Sequence, residues 1–243
     1  MTQQRTLSAV DIEKLAALDT CTASNAIERL RVRPRNEGFV TGTAWCQFPS
    51  MQPMVGYAAT ARIRTTEQPM AGRRCYYDRM DWWGYVATVP GPRVMVFQDV
   101  DERPGFGAFV GEIHATIGEA LHCIGCVTNG GVRDIPGVKA RGFHLFAGNV
   151  ALSHAYAHII EFGAPVEIGG LTIQSGDLLH GDRHGVHKIP LGIAAEVPAE
   201  AARLSIEEKE LMDFCNSPRF SLEGLAIRLR RNSEICDLPR EGR

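Results

Sequence analysis

One stretch of this chain leaves the backbone few choices: Gly111 to Asp134, GEIHATIGEALHCIGCVTNGGVRD. Ile113, Ile117 and Leu121 recur every four residues with Ala120 beside them, the spacing that gives an α-helix one apolar face. Ile124 to Thr128 is short, apolar and bounded by glycines, which predicts a buried strand. Asn129-Gly130-Gly131 then ends that strand, because glycine accepts the backbone angles of a tight turn. The turn presents Arg133 and Asp134 side by side. A guanidinium next to a carboxylate at a strand's end suits a small anion and a hard metal ion. An exposed ion pair of little energetic consequence is the bland reading of the same two residues. Glu112 stands at the helix start, with twenty residues between it and Arg133, from where it can return to the same pocket.

Composition narrows the classes around that stretch. With 243 residues the chain can bury a core without covalent staples. An apolar content of 44% and a charged content of 22% are those of an ordinary soluble globule. A net charge of -2 offers no electrostatic footprint for nucleic acid or an anionic membrane, so neither is expected as a partner. Seven scattered cysteines, an odd number, favour reduced thiols in a cytoplasmic protein over a disulfide framework. Nothing approaches a transmembrane span, and Asp11, Glu13 and Lys14 interrupt any signal-like apolar run after Arg5.

Along the chain, Ser8 to Leu18 reads as a helix with Ser8 as N-cap and Asp11 completing a capping box. Residues 21–25 lead into a second helix with Ala26, Ile27 and Leu30 facing inward. Thr41–Phe48, Gly56–Thr65, Val94–Gln98 and Phe143–Phe146 read as strands. Gln68–Gly84, rich in aromatics, is either a helix packed under a loop or a lid, and Asp99–Gly111 is a Gly/Pro loop. Ile135–Arg141 is a short helix with Pro136 in its first turn. Gly169-Gly170 marks a hairpin between Val166–Ile168 and Leu171–Ile173, and Leu178–Ile189 reads as strand, turn, strand. Ala199–Cys215 and Ser221–Ile235 are helices, the second basic. Short strands alternating with helices predict a layered α/β domain with a mixed sheet and helical extensions at both ends. Residues 1–243 are expected to form one domain, with a core over about 20–195 and a C-terminal helical extension over 196–243.

Other motifs carry less. Gly105, Gly107 and Gly111 miss the dinucleotide-loop spacing by one residue, and no Walker A loop or G-x-S-x-G elbow exists. Cys123 and Cys126 lie in an apolar run and read as buried small hydrophobes rather than half a zinc site. His180, His184 and His187 flank a turn, where spacings of four and three are expected to send them to different faces. His154 and His158 sit at helical spacing without the carboxylate of a metalloprotease helix.

The central block, with GFHLFAGNV after it, resembles the metal-dependent 4-hydroxy-4-methyl-2-oxoglutarate aldolases, which share a fold with the regulator of ribonuclease activity A. GDLLHGDRHGVHKIP, DTCTASNAIERL and GYAATARIRT resemble further blocks of that RraA-like family, in family order, over about residues 8 to 215. The resemblance implies a β/β/α swivelling-type domain, assembled as trimers or stacked trimers with active sites between subunits. It implies a class II-type lyase that cleaves such 2-oxo acids to pyruvate and decarboxylates oxaloacetate through an enolate stabilised by Mg²⁺ or Mn²⁺. Asp134 would hold the metal, Arg133 would contact substrate, and Glu112 would orient a metal-bound water. Backbone N–H groups of Gly111, Glu112, Ile113 and His114 would hold the substrate carboxylate. Glu207 or Glu208 matches an acid brought from a neighbouring subunit. Three positions depart from the family pattern: Glu112 and Asn129 stand where Asp is frequent, and Gly137 where an acid is often found. The alternative that the resemblance also implies is a non-catalytic regulator that docks on a protein partner.

Overall fold

The computed structural model describes residues 6–69 and 79–233. At its centre is β2 (Met54–Arg64), whose side chains alternate between two buried faces as the two-residue period of a strand requires. Val55, Tyr57, Ala59, Ala61 and Ile63 enter one apolar cluster, while Met54 and Ala58 enter another on the opposite side. Beside it, β3 (Arg93–Asp99), β5 (Cys123–Thr128) and β7 (His144–Ala147) continue the sheet in parallel. β1 (Trp45–Cys46) closes the β7 edge antiparallel. On the other side of β2, β12 (Leu178–Asp182) pairs with its first half and β9 (His158–Phe162) with its second, both antiparallel. β13 (Gly185–Ile189) completes this end.

Two different layers cover the sheet. One face carries α1 (Ala9–Ala16), α2 (Thr20–Leu30), α3 (Met80–Thr88), α4 (Glu112–Ala120), α5 (Ile135–Ala140) and α6 (Val197–Cys215), whose apolar residues join the larger cluster. The other face carries the hairpin β10 (Val166–Ile168) and β11 (Leu171–Ile173), whose Val166, Ile168, Leu171 and Ile173 meet Val94, Val96, Val127 and Phe146. Gly169 and Gly170 both adopt positive φ at its turn, which accounts for the glycine pair. Hairpin, mixed sheet and helices form the β/β/α layering expected. α7 (Leu222–Ser233) follows α6.

Several boundaries differ from the sequence reading. Thr41–Phe48 contributes only the two residues of β1, and the supposed loop at 99–111 contains β4 (Ala108–Val110). β4 is a strand because β6 (Gly131–Val132) lies beside it, and β6 in turn pairs with β8 (Asn149–Val150), all parallel. No local pattern announces three strands of two or three residues. His154 and His158 are not on a helix: Ala155 takes a positive φ, which a helix excludes, and His158 opens β9 opposite Arg64. In the Gln68–Gly84 segment, residues 70–78 lie outside the described residues. The part within them enters α3, which buries Trp82 and Trp83 and is therefore packed.

Candidate active site

The spacing between Glu112 and Arg133 has a topological cause. β4 leads into α4, the chain returns through β5, and β6 then aligns beside β4 with Val132 opposite Val110. The Arg133 N–H donates to the Val110 carbonyl at 2.9 Å, so the residues after both short strands leave the sheet together. Glu112 starts α4 and Asp134 precedes α5, which sets the three side chains at one corner.

Asp134 adopts a left-handed backbone, φ 55° and ψ 37°, a region that aspartate enters more readily than most residues. Its Oδ2 accepts from the Glu112 N–H at 3.3 Å, and its Oδ1 lies 3.2 Å from Arg133 Nε. Gly111, the N-cap of α4, makes room for this pair. A Cβ there would stand 2.6 Å from Asp134 Oδ2 and 3.0 Å from Arg133 Cγ. The side chains of Arg133, Asp134 and Glu112 are 33%, 38% and 51% exposed, so all three are open to a solute.

Ile113 and His114 divide in a way the periodicity did not predict. Ile113 is exposed, whereas Ile117 and Leu121 pack against the core as expected and α4 buries His114, Ala115 and Gly118 beside them. Gly118 explains the rotation: a Cβ there would meet Met95 at 3.1 Å and Cys123 at 3.3 Å, so the helix lies against the sheet on its smallest residues. The His114 ring is buried between Phe109 and Trp83, and burial pushes its pKa down to about 3. The ring of His114 therefore belongs to the core and not to the open corner.

Asn129 is a structural clamp. Its Oδ1 accepts from the Asp99 N–H at 2.7 Å and its Nδ2 donates to the Asp99 carbonyl at 2.9 Å. That pairing needs a donor and an acceptor on one side chain, which an ionised aspartate lacks. Glu207 is also engaged, in two hydrogen bonds from Arg29 at 2.6 and 2.9 Å, whereas Glu208 is exposed.

The remaining candidates sort plainly. Burial raises the Cys123 thiol to about 12 and the Cys126 thiol higher still, so both stay protonated and behave as apolar filler. His180 and His187, expected on different faces, are cross-strand partners on β12 and β13 with Nδ1 and Nε2 2.8 Å apart. A two-residue turn at Arg183-His184 places them opposite one another, and His184 alone sits at the turn. Arg141 is a residue beside the corner that sequence reasoning did not single out. From the end of α5 it reaches both acids of α4, with Nη1 2.8 Å from Glu119 Oε2 and Nε 3.8 Å from Glu112 Oε1. Its only signal in the sequence was its place one turn beyond Gly137.

A profile of the RraA-like family (aldolase/RraA) matches residues 20–187. The chain belongs to the RraA-like family. A Halalkalibacterium halodurans protein provisionally named a 4-hydroxy-4-methyl-2-oxoglutarate aldolase is 30% identical over 103 residues, covering 42% of this chain and 49% of that relative. The matched segment thus spans about half the length of that curated relative. Among solved structures, an uncharacterised Pseudomonas syringae pv. tomato protein superposes with a TM-score of 0.70 at 24% identity, over 93% of this chain and 97% of its own. A Streptomyces coelicolor protein, described as an unusual member of the RNase ES inhibitor RraA family, gives 0.64 at 19% identity, over 86% and 100%. These two likenesses establish the RraA-like fold.

Proposed function

We propose that this RraA-like chain is a divalent-metal-dependent lyase. It cleaves 4-hydroxy-4-methyl-2-oxoglutarate-like 2-oxo acids to pyruvate and decarboxylates oxaloacetate. The observation that carries the reading is the single corner shared by Glu112, Arg133 and Asp134, tied by the Glu112 N–H on Asp134.

The donor set fits a hard cation. Among the described residues no group of three or more His, Cys, Asp or Glu side chains is placed to hold a metal. An ion at Asp134 would therefore keep most of its water shell, which Mg²⁺ and Mn²⁺ do and structural zinc does not. When bound, the ion supplies Lewis-acid polarisation of the 2-oxo group. The chain's own residues do the rest. Arg133 donates charge-assisted hydrogen bonds to the oxygen on which negative charge develops as the C–C bond breaks. Glu112 takes or returns the proton of the departing fragment. The N–H groups of Ile113 and His114, at the start of α4, receive the substrate carboxylate. In an assembly of three or six copies with the corner at a subunit boundary, Glu208 is the α6 acid available to a neighbour, because Arg29 holds Glu207.

The direct assay follows pyruvate release from oxaloacetate and from 4-hydroxy-4-methyl-2-oxoglutarate, with Mg²⁺ or Mn²⁺ and then with a chelator. Turnover that tracks the metal supports the lyase. Inertness toward both substrates in every condition transfers the fold to the docking-regulator reading. No helix among the described residues is long and apolar enough to cross a membrane, so the assay needs no lipid on that account.

A further inference from the structure

Gly137 is a glycine without a backbone reason. It lies inside α5, its φ is not in the left-handed region, and a helical glycine costs stability relative to alanine. Space supplies the reason. A Cβ at position 137 would lie 2.7 Å from Glu112 Cδ and 3.2 Å from its Oε1, and closer still to Oε2. The Glu112 carboxylate thus rests on the bare backbone of α5, in the volume that a side chain at 137 would claim. Arg141, one turn further along, approaches the same carboxylate to 3.8 Å while hydrogen-bonded to Glu119 at 2.8 Å.

We propose that Gly137 and Arg141 are positioning residues that set where the Glu112 acid stands, so that a carboxylate launched from α4 occupies the volume left bare on α5. Glutamate rather than aspartate is needed at 112 because the extra methylene carries the acid over the gap at Gly137. This deepens the lyase reading and rests on it for its consequence, though the placement itself is a separate physical claim. The atom in the way is the far end of a flexible side chain, so Gly137→Ala moves Glu112 without disturbing the fold.

A thermal cycle over wild type, Gly137→Ala, Glu112→Ala and the double variant tests the placement. Alanine at 137 is expected to raise Tm more when Glu112 has been removed than when it is present, because only then is its helix-forming advantage unopposed. Equal increments in both backgrounds would overturn the proposal. Calorimetric titration with Mn²⁺ reads the consequence independently of turnover. Gly137→Ala, Glu112→Asp and Arg141→Met are each expected to weaken Mn²⁺ binding about 10–100-fold, the usual scale for residues that orient a metal's outer shell. Arg141→Lys is expected to recover part of that loss, and Glu112→Ala combined with Gly137→Asp, which returns an acid to the same volume from α5, most of it. Unchanged Mn²⁺ affinity in Gly137→Ala, or no recovery in the swapped variant, would also overturn it. A wild-type chain that binds no Mn²⁺ yet shows the thermal coupling would sink the lyase reading and leave the placement of Glu112 standing.

Discussion

At the scale of single residues, position 129 shows how a side chain near a site can serve the backbone instead of the chemistry. Asn129 pairs with both the N–H and the carbonyl of Asp99. Asn129→Asp would set a carboxylate oxygen against that carbonyl. It is expected to cost about 1–3 kcal/mol, read as a fall of several degrees in Tm. Arg133→Ala behaves differently, since its guanidinium is partly exposed and bonded chiefly to its neighbour Asp134. Its Tm is expected to stay within a degree or two while turnover of oxaloacetate falls about 10²–10³-fold, the cost of losing one oxyanion donor. A drop below tenfold would remove Arg133 from the chemistry. Asp134→Ala is expected to abolish the metal dependence, and full activity of that variant in chelator would rule out the scheme.

At the scale of elements, α2 and α6, far apart in sequence, are bound to each other by charge as well as by apolar contact. Arg29 of α2 reaches Glu200 at 2.9 Å and Glu207 at 2.6 Å, both on α6. Glu200 is nearly buried, so Arg29→Met is expected to cost about 1.5–3 kcal/mol, measured as a lower urea midpoint at unchanged slope. A shift under 0.5 kcal/mol would make the pairing ornamental. α4 carries the lesson about reading helices from periodicity. Its isoleucine spacing is helical, as α4 proved to be, but the choice of buried face depends on how closely the helix can approach what it covers. Gly118 permits contact with Met95 and Cys123, and that turned Ile113 outward. The three short strands β4, β6 and β8 were illegible for a related reason: each exists only because the others are beside it.

At the scale of the whole molecule, buried imidazoles tie stability to pH. Burial lowers the pKa of His114 and His187 to about 3, and lowers those of His144 and His180 as well. The unfolded chain returns each to about 6.5. The folded state therefore binds fewer protons, and stability is complete above pH 6.5 and lost as pH falls toward 3. Asp99, raised by burial, acts with the opposite sign and offsets part of the loss. The urea midpoint is expected to fall between pH 7 and pH 4.5, and to fall less in His187→Gln. An increase over that interval would contradict the burial of these rings. His187 matters most here because its neighbour His180 accepts or donates at 2.8 Å and also meets the Leu18 carbonyl, so charging the pair loosens the N-terminal helices from β12 and β13.

By itself the sequence determined the elements whose reasons are local: the helix before the diglycine, the buried runs of β2, β3 and β5, the Gly169-Gly170 hairpin, and the adjacency of Arg133 to Asp134. It also determined the family, because ordered blocks survive in the chain as letters. Tertiary structure alone decided the rest. It made Glu112 meet Asp134 by laying β6 along β4, paired His180 with His187 across a two-residue turn, assigned Asn129 to the Asp99 backbone, and let the Glu112 carboxylate occupy the volume left bare at Gly137. Local periodicity reports what a segment prefers; which surfaces touch is settled by strand register and by the side-chain volume available between layers.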